Sequence, residues 1–264
     1  QTKVYGEQNP ALTFKYSGFV NGDDVSDLDK EPVISTSINT LSNVGYYPDS
    51  IVLSDGLDNN YGFELTAGDF EIIKATLTAT ADNQTKVYGE QNPVLTISYH
   101  GWVNGDDVSD LDQEPVISTS INTFSNAGYY SDSIVLSGGT DNNYRFELAA
   151  GDFEITKAIL TLKAKSQSKE YGERNPYNSY YCTGWVNGEE EIDVEPVMTT
   201  TVDRLTPAGM YSAAIVISGA SDKNYEFSYI PGTYRISQAP LTITVNSLTR
   251  PYGSDTPAYT FNFT

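Results

Sequence analysis

The sequence predicts a mostly β protein built from tandem copies of one small unit. Three observations carry this. Gln1–Pro10 returns unchanged as Gln84–Pro93, returns altered as Ser168-Lys-Glu-Tyr-Gly-Glu-Arg-Asn-Pro176, and opens again as Arg250-Pro-Tyr-Gly-Ser-Asp-Thr-Pro257. The period of about 83 residues is the size of one small domain. Apolar residues alternate with polar ones along most segments, and 20 tyrosines with many Val, Ile and Thr fill them, as strands prefer.

Taken in order, Leu12–Tyr16 and Leu95–Tyr99 put apolar side chains on one face and read as strands. Asn21–Asp29 carries a cap followed by Val25 and Leu28, and its counterpart Asn187–Val194 is shorter, so the segment reads as a loop with a 3₁₀ or short α turn. Pro32–Ile38 is rich in β-branched residues. Tyr46–Leu53 and Tyr61–Ile73 carry further strands on either side of Ser54–Asn60, which has turn chemistry. Leu77–Ala81, Leu160–Ala164 and Leu241–Val245 read as short opening strands.

The joints Glu71–Thr78, Glu154–Thr161 and Arg235–Thr242 run from one unit into the next without a Gly/Ser linker. This frames the chain as 1–74 (a unit lacking its first strand), 75–157, 158–238 and 239–264 (the start of a fourth). Short apolar joints predict little bending and a rod-like array. Each unit is expected to be a small Ig-like β-sandwich burying the inner faces of two sheets, with a β-grasp unit as the alternative. Beginning within a repeat, the chain reads as a piece of something longer.

Formal charge is −20, from 35 acidic and 15 basic side chains, which argues against nucleic acid and anionic membrane as partners. No stretch approaches the about 18 apolar residues of a membrane span. The single cysteine, Cys182, aligns with Tyr16 and Tyr99, so no disulfide forms within the chain.

Aligned, the copies spell Tyr-Gly, Asn-Pro, Leu-Thr, Tyr, Gly-(Phe/Trp)-Val-Asn-Gly, Pro, Gly-Tyr, Asn-Tyr, Gly, Ile, Ala, Leu-Thr. This resembles the MBG domain of the YGX type over essentially the whole chain. The resemblance implies a repeat segment, stalk or fibre, of a large adhesin-like protein at the bacterial cell surface, and implies no reaction. The third copy departs from the pattern at Asn178 and Cys182.

Near-identical copies suit a function that scales with copy number and sit poorly with one catalytic constellation. The chain is therefore read as no enzyme. No Ser-His-Asp, HExxH or CxxC arrangement occurs, and His100, the only histidine, falls on the polar side of a strand. The acidic loop Asp23, Asp24, Asp27, Asp29, repeated as Asp106, Asp107, Asp110, Asp112, reads either as a solvated turn or as a weak calcium site of clustered oxygens. Asp58, Asp141 and Asp222 open a second acidic turn. Phe19, Trp102 and Trp185 share one aligned position and read either as strand-end core or as a ligand contact that stacks on sugars. A Lys-Asn isopeptide crosslink would need a lysine in every unit, and Lys74 and Lys157 align with Gln238. Expected partners are neighbouring repeats, a head-to-tail second copy supplying the missing strand, and a host glycan or protein. The alternative to a stalk is a carbohydrate- or protein-binding module acting through the repeats themselves.

Overall fold

The computed structural model describes residues 1–263 and is nearly all β. The first repeat holds β1 (Thr2–Val4), β2 (Lys30–Thr36), β3 (Gly45–Leu57) and β4 (Gly68–Ile73). The second holds β5 (Ala75–Ala81), β6 (Gln84–Val87), β7 (Ile97–His100), β8 (Gln113–Thr119), β9 (Gly128–Thr140), β10 (Tyr144–Ala149) and β11 (Gly151–Thr156). The third repeats that set as β12 (Ala158–Ala164), β13 (Gln167–Glu170), β14 (Tyr180–Thr183), β15 (Val197–Thr200), β16 (Gly209–Ser218), β17 (Tyr225–Ile230) and β18 (Gly232–Ser237). β19 (Ile243–Val245) and β20 (Phe261–Phe263) close the described chain as an antiparallel pair.

A full repeat contributes two sheets, ordered β10-β5-β7 and β6-β11-β9-β8 in the second copy and β14-β12-β17 and β13-β18-β16-β15 in the third. The opening strand is central in the three-stranded sheet. β5 runs parallel to β10, Ala75 opposite Tyr144, and antiparallel to β7, Thr78 opposite His100. Its alternation is the cause of its placement: Ala75, Leu77, Ala79 and Ala81 are buried and the threonines between them point away. Ala158, Leu160, Leu162 and Ala164 do the same in β12. Each fully buried leucine contributes about 1.5–3 kcal/mol.

The first repeat forms only the four-stranded sheet, β1-β4-β3-β2. The strands expected over Leu12–Tyr16 and in the first part of Tyr61–Ile73 are absent: residues 10–20 and 61–67 are irregular. The reason is pairing. Their counterparts β7 and β10 are strands because both bond to β5, and no strand among the described residues plays that part for the first repeat. An alternating sequence without a ladder partner leaves its backbone groups to solvent. The acidic segment is a 3₁₀ turn at Val25–Asp27 and Val108–Asp110, with no helix in the third copy.

The chain divides into two compact units, residues 1–86, 91–122 and 128–154, and residues 87–90, 123–127 and 155–264. Packing therefore departs from the sequence period. The Tyr88-Gly89 turn and residues 123–127 group with the third repeat. In the first unit one core cluster joins Tyr5, Ile38, Ile51, Phe70 and Ile72 of the first repeat to Ala75, Leu77 and Tyr144 of the second.

Candidate functional site: a repeated tyrosine seam

The Tyr-Gly turn is built locally and used at a distance. Tyr5 N donates to Ile73 O (2.9 Å), which extends the β1–β4 ladder by one residue. Glu7 N then closes the turn on Val4 O (3.1 Å), and the Glu7 carboxylate accepts from Val4 N (3.0 Å). Lys3 is buried beneath, its Nζ donating to Asn39 O (2.6 Å) and Glu7 O (3.0 Å). Burial holds its pKa below the ordinary lysine value. Lys86 and Lys169 are buried the same way, on Asn122 O (2.7 Å) and on Glu173 O (3.1 Å) and Asp203 O respectively.

So presented, Tyr5 enters the second repeat. Its ring meets Tyr144 edge-on (5.6 Å between centroids, 84°), and Trp102 meets Tyr144 from another side (5.3 Å, 84°). Both hydroxyls donate to one oxygen, Asp106 Oδ2, Tyr144 at 2.7 Å and Tyr5 at 3.1 Å, while Val103 N donates to Tyr144 Oη (3.1 Å). Around them Asn104 Nδ2 donates to Thr40 O (2.9 Å), Asn143 Oδ1 accepts from Val44 N (3.0 Å), and Lys74 Nζ donates to Asp141 O (2.7 Å). Gly6 has φ +84, and a Cβ there would lie 2.4 Å from Val103 Cγ2, so the second position of the motif admits only glycine.

The second unit repeats the arrangement residue for residue. Tyr88 packs edge-on against Tyr225 (5.8 Å, 84°), and Trp185 against the same ring (5.3 Å, 84°). Glu189 replaces the aspartate and, one methylene longer, takes each hydroxyl on its own oxygen: Tyr88 on Oε1 (2.6 Å), Tyr225 on Oε2 (2.7 Å). Asn187 donates to Thr123 O (2.8 Å), Asn224 Oδ1 accepts from Ala127 N (2.9 Å), and Lys157 donates to Asp222 O (2.6 Å). Burial first, then the carboxylate, raises the hydroxyl pKa values of Tyr88, Tyr144 and Tyr225 above the ordinary tyrosine range. Tyr5 is raised as well, chiefly by burial.

The predicted site residues fall into this frame unevenly. Trp102 and Trp185 are half-buried seam aromatics, and Phe19 meets Tyr61 edge-on at the matching place in the first repeat (5.5 Å, 83°). Asp106 is the seam acceptor, and Asp23 accepts from Tyr61 Oη (2.7 Å). The other carboxylates order their own loop. Asp24 accepts from Ser26 N (2.8 Å) and Oγ (2.6 Å), Asp27 accepts from Asp24 N (2.9 Å), and Asp107 and Asp110 repeat this. The serine hydrogen bonds hold the Asp24 and Asp107 carboxyls below their ordinary pKa.

Asp29 and Asp58 clasp each other's loops: Asp29 N donates to Asp58 Oδ2 (3.1 Å) and Asn59 N to Asp29 Oδ2 (3.1 Å). Asp112 with Asp141 and Asp193 with Asp222 do likewise. Among the described residues no group of three or more His, Cys, Asp or Glu is arranged to hold a metal ion. Thermal melts in EDTA and in millimolar calcium are therefore expected to agree within a few degrees. A rise above about 10 °C with calcium would mark the acidic loops as a cation site.

His100 is exposed on β7. Cys182, in β14, lies opposite Leu162, and burial raises its thiol pKa. The third copy compensates for the tyrosine lost there: Tyr16 donates to Glu31 in the first copy, whereas Tyr180, two residues earlier on the same face, donates to Glu195 in the third. The lysine that every repeat has is not the one at 74 and 157 but Lys3, Lys86 and Lys169. Its place two residues before Tyr-Gly in the first three copies, with Arg250 there in the fourth opening, was the available signal.

No curated protein and no solved structure matches the chain. The family model of the MBG domain (YGX type) matches residues 1–71, 77–154 and 160–235, beginning each time just before or within a Tyr-Gly turn or its opening strand. With three matches spanning most of its length, the chain belongs to the MBG domain (YGX type) family.

Proposed function

We propose that the chain is a structural and adhesive repeat segment, a stalk or fibre, of a large bacterial protein on the cell surface. The observation that carries this reading is the seam: the first and second copies each bury their Tyr-Gly turn in the following copy through the same aromatic, carboxylate and asparagine partners. Such a seam fixes the register of successive repeats and couples their stabilities, as expected of a quasi-one-dimensional array. Adhesion would come from projecting a tip or presenting weak sites many times over, which raises avidity without a strong single site. Half-buried Trp102 and Trp185, packed edge-on against tyrosines, favour this over a sugar-stacking platform at those positions.

Small-angle scattering tests the reading. The expected particle is elongated, with a radius of gyration well beyond the about 18 Å of a globule of this length. A globular profile near that value would remove the stalk.

A further inference from the structure

The two seams define a receiving face by its residues: an aromatic, a valine, a left-handed asparagine, an acid and a tyrosine. The first repeat carries the same face. Phe19, Val20, Asn21, Asp23 and Tyr61 stand where Trp102, Val103, Asn104, Asp106 and Tyr144 stand around Tyr5. The backbone is already set, since Asn21 has φ 59 against 57 for Asn104 and 54 for Asn187. Val20 N donates to Tyr61 Oη (3.2 Å) as Val103 N does to Tyr144, and Asp23 already accepts from Tyr61. What differs is exposure: Tyr144 is 3% and Tyr225 2% exposed, whereas Tyr61 is half-buried and Val20 is 58% exposed.

The complementary element is equally preformed. Tyr171 N donates to Ser237 O (2.9 Å) and Glu173 N to Glu170 O (3.2 Å), the bonds that shape the turns at Tyr5 and Tyr88. Gly172 has φ +91, close to the +84 and +85 of Gly6 and Gly89, but no atom lies within 4 Å of its Cβ position, where Val103 and Val186 cover the other two. Tyr171 is 44% exposed, against 6% and 3% for Tyr5 and Tyr88.

We propose that the face of Phe19, Val20, Asn21, Asp23 and Tyr61 receives the Tyr171-Gly172 turn of a second copy of this chain. This rests on the seam being the coupling element of the array. Val20 would close over Gly172, and the Tyr171 hydroxyl would join Tyr61 on the Asp23 carboxylate. Asn21 would donate to the carbonyl of Arg204, the counterpart of Thr40 and Thr123. The two faces are different, so each contact is heterologous.

Sedimentation of the whole chain at near-physiological salt, where screening moderates its acidic charge, is the experiment. An interface of this small size belongs to the weak class. The weight-average mass is expected to rise about twofold or more between about 10 μM and about 1 mM. Val20→Glu and Tyr171→Ala, both at exposed positions, should each return it to the monomer with an unchanged circular dichroism spectrum. A single monomeric species at about 1 mM would overturn the proposal, as would association that survives both substitutions. Association abolished by Ile243→Lys on β19 yet intact in Val20→Glu would overturn it in favour of strand addition. An elongated scattering profile from a chain that stays monomeric would leave the stalk reading standing and remove this one alone.

Discussion

Tyr88→Ala is expected to destabilise the second compact unit by about 3–5 kcal/mol, the cost of emptying a buried aromatic site. The ring is 3% exposed, fills the space beside Tyr225, and supplies one of the two donors that Glu189 accepts. Tyr88→Phe keeps the ring and removes only the hydroxyl, so about 1–2 kcal/mol is expected, with Glu189 still bonded to Tyr225. Gly89→Ala should approach the alanine truncation, because φ +85 strains any side chain and the new Cβ would meet Val186 at 2.6 Å. Unfolding of several repeats is not two-state, so a local reporter is needed. Trp185 touches the Tyr225 ring in this seam, and Trp102→Phe makes Trp185 the sole tryptophan, with Phe19 as precedent for phenylalanine at that position. In denaturant, the Trp185 transition should move to lower concentration in Tyr88→Ala. An unmoved transition would mean that the seam carries little of the stability.

The second large effect is expected in alkali. The folded-state pKa values of Tyr5, Tyr88, Tyr144 and Tyr225 lie above the ordinary tyrosine value of 10.0, with burial the main cause. For a raised acid the folded state holds more protons than the unfolded state, so the contribution is complete below pH 10 and is lost as pH climbs through the folded values. Lys3 acts in the opposite sense. Its lowered pKa makes the charged form costly in the fold, a cost relieved as pH rises toward its ordinary 10.5. The tyrosines outnumber it within each seam, so net stability should fall above pH 10. Absorbance near 295 nm reports tyrosine ionisation, which for a free phenol falls near pH 10. The seam tyrosines should follow in a later cooperative step, together with loss of the far-ultraviolet β signal. One wave near pH 10 with that signal unchanged would contradict a buried seam.

Much of this was legible in the sequence. An exact ten-residue repetition and period-two alternation require neither a partner nor a structure to be read, and β5 and β12 follow from them, while the cap residues and unequal lengths of the acidic segment point to a 3₁₀ or short α turn there. The seam was harder. Tyr5 and Asp106 are 101 residues apart, so no pattern within one copy links them. Asp106 read as a calcium candidate because a carboxylate in a polar loop has the same one-dimensional signature whether its oxygens meet a cation, a backbone N–H or a tyrosine hydroxyl. Leu12–Tyr16 read as a strand because alternation records which face is apolar and not whether a ladder partner exists. Lys3 was passed over since a lysine in a strand ordinarily points to water, and its burial depends on three backbone segments meeting around one ammonium.

The seam also has a consequence for how such a chain can change in length. Its two halves lie on successive copies, the Tyr-Gly turn on one and the Gly-(Phe/Trp)-Val-Asn-Gly face on the next. A duplication or deletion of one whole period, wherever its break points fall, adds or removes one turn and one face together, and every remaining joint stays matched. The same split ties substitutions across a copy boundary. The glutamate at 189 answers the tyrosine at 88 in the copy before it, so a change in one copy is tested by selection in its neighbour. The segment that duplicates and the segment that packs are thus out of phase by part of a repeat, which lets the number of copies drift while the fit between them is held.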